Sequence, residues 1–204
     1  FLIDFSHVKG HGACGYGGAC KNISMGCVTD RTRHEIHGLE GGLKWEADKC
    51  VHCNKCIEAC NHHANRFDKD GKYQVNYHNC TMCQHCAKVC PTKAVTLDSH
   101  DYADFQQGMA LCTKTVLDLF GPDNVFFINL LISITALCDC WGLTTPSLVP
   151  DIGVMASDDI VAIERASLDM IRFEDLIPQG VPKGHQMGDT GHLFQRLHGK
   201  DPYL

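Results

Sequence analysis

The chain has 204 residues, a formal net charge of −6 and 14 cysteines. That length supports one substantial domain and one small one, and the absence of any run of basic residues excludes a nucleic-acid-binding surface. The longest largely apolar stretch, 125–137, is broken by Asn129, Ser133 and Thr135 and falls short of the roughly 20 residues of a membrane-spanning helix.

Leu2-Ile3-Asp4-Phe5 reads as a strand. The chain opens inside it, without Met or a polar lead-in, so we expect a fragment of a longer protein, truncated at both ends. A glycine-rich loop follows, Gly10 to Gly18, and then a helix-like stretch, 19–27. Gly10-x-Gly12-x-x-Gly15 matches the GxGxxG pattern, in which backbone N–H groups before a helix hold phosphate. Glycines this dense meet the pattern easily, GxxxxGK[ST] is absent, and no clear second strand follows to place an acid on a ribose. A backbone that simply needs glycine is the competing reading. His7, His11 and Lys21 lie near this loop and could face a ligand, although a lone His is more often structural.

The next segment carries the most specific signal. Cys50-x2-Cys53-x2-Cys56-x3-Cys60 is repeated thirty residues on as Cys80-x2-Cys83-x2-Cys86-x3-Cys90-Pro91. This is the ligand spacing of bacterial two-cluster ferredoxins, where three thiolates hold one cubane and the fourth reaches the other. The spacing assigns Cys50, Cys53, Cys56 and Cys90 to one 4Fe–4S cluster, and Cys80, Cys83, Cys86 and Cys60 to a second. Zinc is the alternative, because CxxC pairs suit tetrahedral zinc; a zinc ribbon wants two CxxC knuckles rather than two runs of four. A disulfide framework fits less well, since no signal peptide is visible. The repeat extends to Ala64 with Ala94, and to Ile57 and Ala59 with Ala87 and Val89. Small and apolar residues there would pack on clusters and keep water from the sulfurs. Asn61 stands where the second run has Pro91, and His62 and His63 follow, facing solvent or a cluster sulfur. Between the runs, Asp70-Gly71 signals a hairpin. Residues 46–98 hold six acids and seven Lys or Arg, net +1, which leaves −7 for the rest. A near-neutral insert suits a module fixed to its host better than a diffusing carrier.

Beyond the insert, Tyr102, Phe105, Met109, Cys112, Val116 and Phe120 recur at helical spacing, and Gly121-Pro122 stops that helix. Residues 124–137 read as a long apolar strand ending at Cys138-Asp139-Cys140-Trp141. Alternation would put Cys138 and Cys140 on one side of it and Asp139 on the other. Strand ends are where open α/β sheets build sites. With Cys27 or a histidine these thiols could ligate a further metal or act as a redox pair, or they could be buried small hydrophobes. Residues 151–156 form another short strand. Ser157-Asp158 caps a helix with apolar Ile160, Val161, Ile163, Ala166, Leu168 and Ile171, although Asp151 and Asp158 could be site acids instead. A tail, 176–204, holds one short helix near His192 to Leu197. The expected fold is an α/β host, 1–45 with 99–204, carrying an inserted α+β two-cluster ferredoxin-like domain, 46–98.

Three host stretches, "HVKGHGACGYGGACKNISMGC", "INLLISITALCDCWG" and "VPDIGVMASDDIVAIERASLD", together with the insert, resemble a widespread family of uncharacterised iron–sulfur centre proteins. Its members join an α/β domain of unknown function to a bacterial-type ferredoxin module. The resemblance implies redox work in the cytoplasm. The expected function is electron transfer through two 4Fe–4S clusters to redox partner proteins, with the chain as a subunit of a larger complex, and with neither nucleic acid nor a membrane span. The alternative is a redox enzyme whose site draws on Cys138, Cys140, Cys27, His11 and Lys21; a purely structural role for the clusters is a third reading. Cubanes and unpaired thiols together fit the reducing interior of an anaerobic cell.

Overall fold

The computed structural model describes residues 1–39, 42–76, 79–80, 85–97, 102–141 and 144–203, with backbone only at 102 and 141. It divides into two units, Phe1–Thr29 with Gln106–Leu204, and Asp30–Phe105.

The first unit opens with β1 (Leu2–His7), β2 (Lys9–His11), β3 (Gly15–Gly17) and α1 (Ala19–Gly26). The second holds α2 (Asp30–Gly38), β4 (Leu43–Trp45), α3 (Lys55–Glu58), β5 (Asn65–Phe67), β6 (Tyr73–Val75), α4 (His85–Val89) and β7 (Val95–Leu97). α5 (Tyr102–Asp118) leads back into the first unit, which continues through β8 (Val125–Leu131), β9 (Gly153–Ser157), α6 (Ile160–Met170) and α7 (Leu193–His198).

The main sheet has the order β1-β8-β9. β1 runs parallel to β8, from Leu2 opposite Val125 to His7 opposite Leu130, and β9 runs antiparallel to β8. β8 is built of aromatic and branched residues that suit a pleated surface. Val125, Phe127, Asn129 and Leu131 are buried, and the residues between them are only partly so. The buried face meets α1 and α6 through Ala19, Ile23, Phe127 and Ile163. A second cluster joins Val8, Leu131, Ile134, Leu148, Leu168 and Phe194. Each such side chain contributes on the order of 2 kcal/mol by leaving water.

Three expectations need correction. The strand foreseen over 124–137 stops at Leu131. Ser133 turns to φ +48°, and its N–H is held by Asp151 Oδ1 at 2.6 Å, so the chain leaves the sheet. Thr135 instead accepts the N–H of Gly10. The cap of α6 is Asp159 rather than Asp158: its carboxylate accepts from Val161 and Ala162 N–H. The glycine-rich stretch is not one open loop. It folds into the β2–β3 hairpin, with Gly15 at φ +78°, where a side chain would be strained.

In the second unit each half reads β–α–β, and the halves are offset by thirty residues: β4 begins at 43 and β6 at 73, β5 at 65 and β7 at 95. The first strand of each half pairs with the last strand of the other, β4 with β7 and β5 with β6, both antiparallel. The β5–β6 turn is the one marked by Asp70-Gly71: Asp68 Oδ1 accepts from Asp70 and Lys72 N–H, and Gly71 takes φ +74°. Cys56, Tyr73, Cys86 and Val95 form the small core. Among the described residues no helix is long and apolar enough to cross a membrane.

Candidate metal and thiol sites

In the second unit, Cys50, Cys53, Cys56 and Cys90 line one small cavity with Phe67 and Val95. The loop before α3 passes through positive φ at His52 and Asn54. Such left-handed steps let a short chain wrap around a centre instead of running past it. His63 and Lys93, thirty apart, share a further pair of positive φ values, +49° and +53°, so the repeat extends to backbone conformation. Cys60 Sγ accepts the N–H of Ala64 at 3.3 Å. For Cys90, burial raises the thiol pKa, but hydrogen bonds from Val95, Thr92 and Ala94 outweigh it and the net shift is downward. Burial pushes the Cys56 thiol up to about 11. Cys86 is buried; Cys60 and Cys80 are half-buried. Cys83 lies outside the described residues.

The donor set fits iron–sulfur clusters. Eight thiols at this spacing supply soft anionic ligands. Among the described residues Trp45 Nε1 is buried without a hydrogen-bond partner, and the Tyr73 hydroxyl is within reach of the Cys86 sulfur. Both pack in the core around Cys56 and Cys86. Buried donors normally have acceptors, and the sulfides of a cluster are acceptors.

The first unit holds a different arrangement. β2 carries His11, α1 carries Lys21, and a 3-10 turn over Asp139–Trp141 follows Cys138. Ligand atoms of His11, Cys138 and Cys140 all lie within 4.8 Å of one another. Cys140 Sγ is 3.5 Å from His11 Nε2. Cys138 Sγ accepts from Lys21 Nζ at 3.4 Å and from the N–H of Cys140 at 3.4 Å. The two cysteines are therefore not neighbours on one side of a strand. The turn folds the Cys140 backbone onto the Cys138 sulfur, leaving Cys138 buried and Cys140 exposed. The hydrogen bond shared with Cys140 is the largest cause lowering the Cys138 thiol pKa; Lys21 adds to it and burial opposes it. The same shared bond raises Cys140. Burial lowers the Lys21 pKa, yet the thiols of Cys138, Cys140 and Cys14 outweigh it and the net shift is upward. Cys27 does not join this group; it caps the C-terminus of α1, within electrostatic range of Cys112.

Sequence reasoning missed Glu164. Its carboxylate accepts from the N–H groups of Ala19 (2.8 Å) and Cys20 (3.3 Å) at the start of α1. Tyr16 Oη and Asn129 Nδ2 also donate to it. A Cβ on Gly18 would collide with Tyr16 and Glu164 Oε1. The helix start that GxGxxG assigns to a phosphate is thus filled by an internal acid. No sequence signal marks Glu164, a charged residue within an apolar helical pattern. It lines a cavity of about 680 Å³ with Lys21, Gln106, Met109, Thr113 and Leu168.

The curated relatives match only short stretches. The archaeal-type glutamate synthase (NADPH) of Thermotoga maritima is 34% identical over 56 residues, 26% of this chain and 11% of that protein. A ferredoxin of Pyrobaculum islandicum is 33% identical over 51 residues, 25% of this chain and 48% of its own. Pyruvate synthase subunit PorD of Methanocaldococcus jannaschii is 35% identical over 49 residues, 24% of this chain and 57% of its own. The chain therefore covers less than two thirds of each. The family model described as Domain of unknown function (DUF362) matches residues 1–169, and the chain belongs to that family.

Proposed function

We propose that this protein transfers electrons through two 4Fe–4S clusters, held in a ferredoxin-like insert, 46–98 together with the strand β4 before it, within an α/β host. The observation that carries the reading is the doubled β–α–β unit, in which Cys50, Cys53 and Cys56 of one half share a cavity with Cys90 of the other. Similarity to a ferredoxin supports it. When bound, each cluster supplies a one-electron carrier.

The chain's own residues have separable tasks. Cys50, Cys53, Cys56 and Cys90 would hold one cluster, and Cys80, Cys83, Cys86 and Cys60 the other. The N–H of Ala64 on Cys60 and those of Val95, Thr92 and Ala94 on Cys90 favour the thiolate state that ligation requires. Phe67, Tyr73 and Trp45, packed around the thiols, keep water away and lower the local dielectric, which sets potential. PorD of M. jannaschii is named as a subunit of pyruvate synthase; by analogy the partners here are redox proteins, in a larger cytoplasmic complex.

Iron, acid-labile sulfide and zinc are to be measured in anaerobically isolated protein. The expected result is about eight irons per chain, with a cubane signal on reduction. A zinc-loaded, iron-free protein overturns the reading.

A further inference from the structure

The thiols of the first unit take no part in that proposal. We infer that Cys138 and Cys140 form a dithiol–disulfide couple that reduces an organic disulfide, with His11 and Lys21 as positioning residues.

The polarity of the hydrogen bonds decides between a metal site and a thiol couple. His11 Nδ1 accepts from the N–H groups of Ala13 (3.2 Å) and Cys14 (3.3 Å). The proton of the neutral ring therefore sits on Nε2, which points at Cys140 Sγ. A histidine that ligates a metal through Nε2 carries its proton on Nδ1 and donates it outward, the reverse of this arrangement. The Lys21 ammonium on Cys138 would also repel a cation. Among the described residues, Lys21 Nζ and the Cys140 N–H on Cys138 and the His11 Nε2–H on Cys140 instead stabilise a thiolate.

The sulfurs lie within 4.8 Å and must close to roughly 2 Å to bond. Cys140 is exposed and Cys138 is buried at 2%, which divides the roles. Cys140 passes its proton to the adjacent Cys138 thiolate and, stabilised by the His11 Nε2–H, attacks one sulfur of the substrate R–S–S–R′, forms a mixed disulfide and expels R′S⁻, which takes that proton from Cys138. The Cys138 thiolate then attacks the Cys140 sulfur, forms the internal disulfide and expels RS⁻, which is protonated in turn. Two electrons pass from the pair to the substrate, with the one proton the pair holds and a second from solvent. Among the described residues the charged and titratable groups facing the pair are Lys21, His11, Asp139 and Lys9, with Cys14 facing Lys21. Lys21 and Lys9 lie near the pair, and both favour the thiolate on Cys138.

The test uses the full chain, isolated anaerobically with its bound metal and treated with glutathione disulfide or with insulin as a protein-borne disulfide. Thiols are then alkylated, and the peptide carrying 138–140 is weighed. The expected outcome is loss of both alkylation sites in the wild type with either probe or both. Cys138→Ser retains a glutathione adduct on Cys140, whereas Cys140→Ser acquires none. Lys21→Met moves the pH midpoint of the reaction upward, a readout that a structural role would not move. A peptide that stays doubly alkylated with both probes overturns the inference. So does a metal ion that co-purifies with the chain and is lost in both Cys138→Ser and Cys140→Ser while the iron content is unchanged. A limited-proteolysis pattern in which 1–29 and 106–204 resist cleavage as in the wild type establishes that each variant has folded.

Discussion

Removing the Glu164 carboxylate tests how the first unit is held together. Its Oε1 accepts from Tyr16 Oη at 3.1 Å, Ala19 N at 2.8 Å and Asn129 Nδ2 at 3.0 Å, and Oε2 accepts from Cys20 N at 3.3 Å. Glu164→Ala strips an acceptor from four donors at once, each worth about 1–3 kcal/mol when buried unsatisfied. Glu164 and Tyr16 also line the large cavity, so water can reach part of the gap, and we expect a net loss of about 3–5 kcal/mol. For a chain of this size that lowers Tm by roughly 10 °C. Glu164→Gln keeps an oxygen at the Oε1 position and sets an NH2 against Cys20 N–H, but it also relieves the burial of a charge, so it should fall within about 1 kcal/mol of wild type. Burial raises the Glu164 pKa. The folded carboxyl then keeps its proton to higher pH than the unfolded one, and wild-type stability falls as pH rises between the two pKa values. Glu164→Gln lacks that slope, so raising pH shifts the balance toward the variant. Thermal melts followed by circular dichroism decide the matter. An Ala variant melting within about 2 °C of wild type would refute the reasoning.

Chelating the iron should unfold the second unit, whose strands have three residues each and whose core is small. Limited proteolysis should then cut within 30–105 and spare the first unit, while Cys90→Ser should hold only about four irons per chain. Burial depresses His198 to about 4, and its ring bonds Ala136 O at 2.7 Å. Its contribution is therefore fully present above the ordinary value of 6.5 and is lost as pH falls from there to about 4. Urea titrations across that window should show the decline, and His198→Gln should flatten it. Gly10→Ala would set a Cβ against Ala136 O and His198 Nε2. We expect a loss of about 1–3 kcal/mol and altered alkylation kinetics of Cys140, measured on the same peptide.

What could be read from sequence was local. The cysteine runs announce themselves because metal ligands on one loop need fixed spacing. The periodicity of 101–120 located α5 (Tyr102–Asp118), and Asp70-Gly71 located the β5–β6 turn. The failures are all long-range. Nothing in 124–137 shows that Ser133 will be drawn out of the sheet by Asp151, 18 residues away. Cys138 and Cys140 were legible as a pair, but strand alternation was the wrong device for joining them. The turn at 139–141 and the contact to His11, 129 residues away in sequence, depend on how the β2–β3 hairpin docks. Glu164 was invisible because its partners, Tyr16 to Cys20, lie about 145 residues upstream.

The glycine-rich loop shows why a motif must be tested against its neighbours. Phosphate binding and close chain approach make the same demand on sequence: backbone that can be reached without a side chain in the way. Here Gly10 lets the hairpin lie against Ala136, donating to Thr135 O on the way, and Gly18 lets the Glu164 carboxylate reach the start of α1. A phosphate arriving at that helix would have to displace an anion already bonded to the N–H groups it needs, trading one charge for another with little gain. The glycines serve the interior instead. By drawing β2 onto the segment after β8, they carry His11 to Cys140, and so the residues that first suggest a nucleotide loop are the ones that assemble the thiol pair.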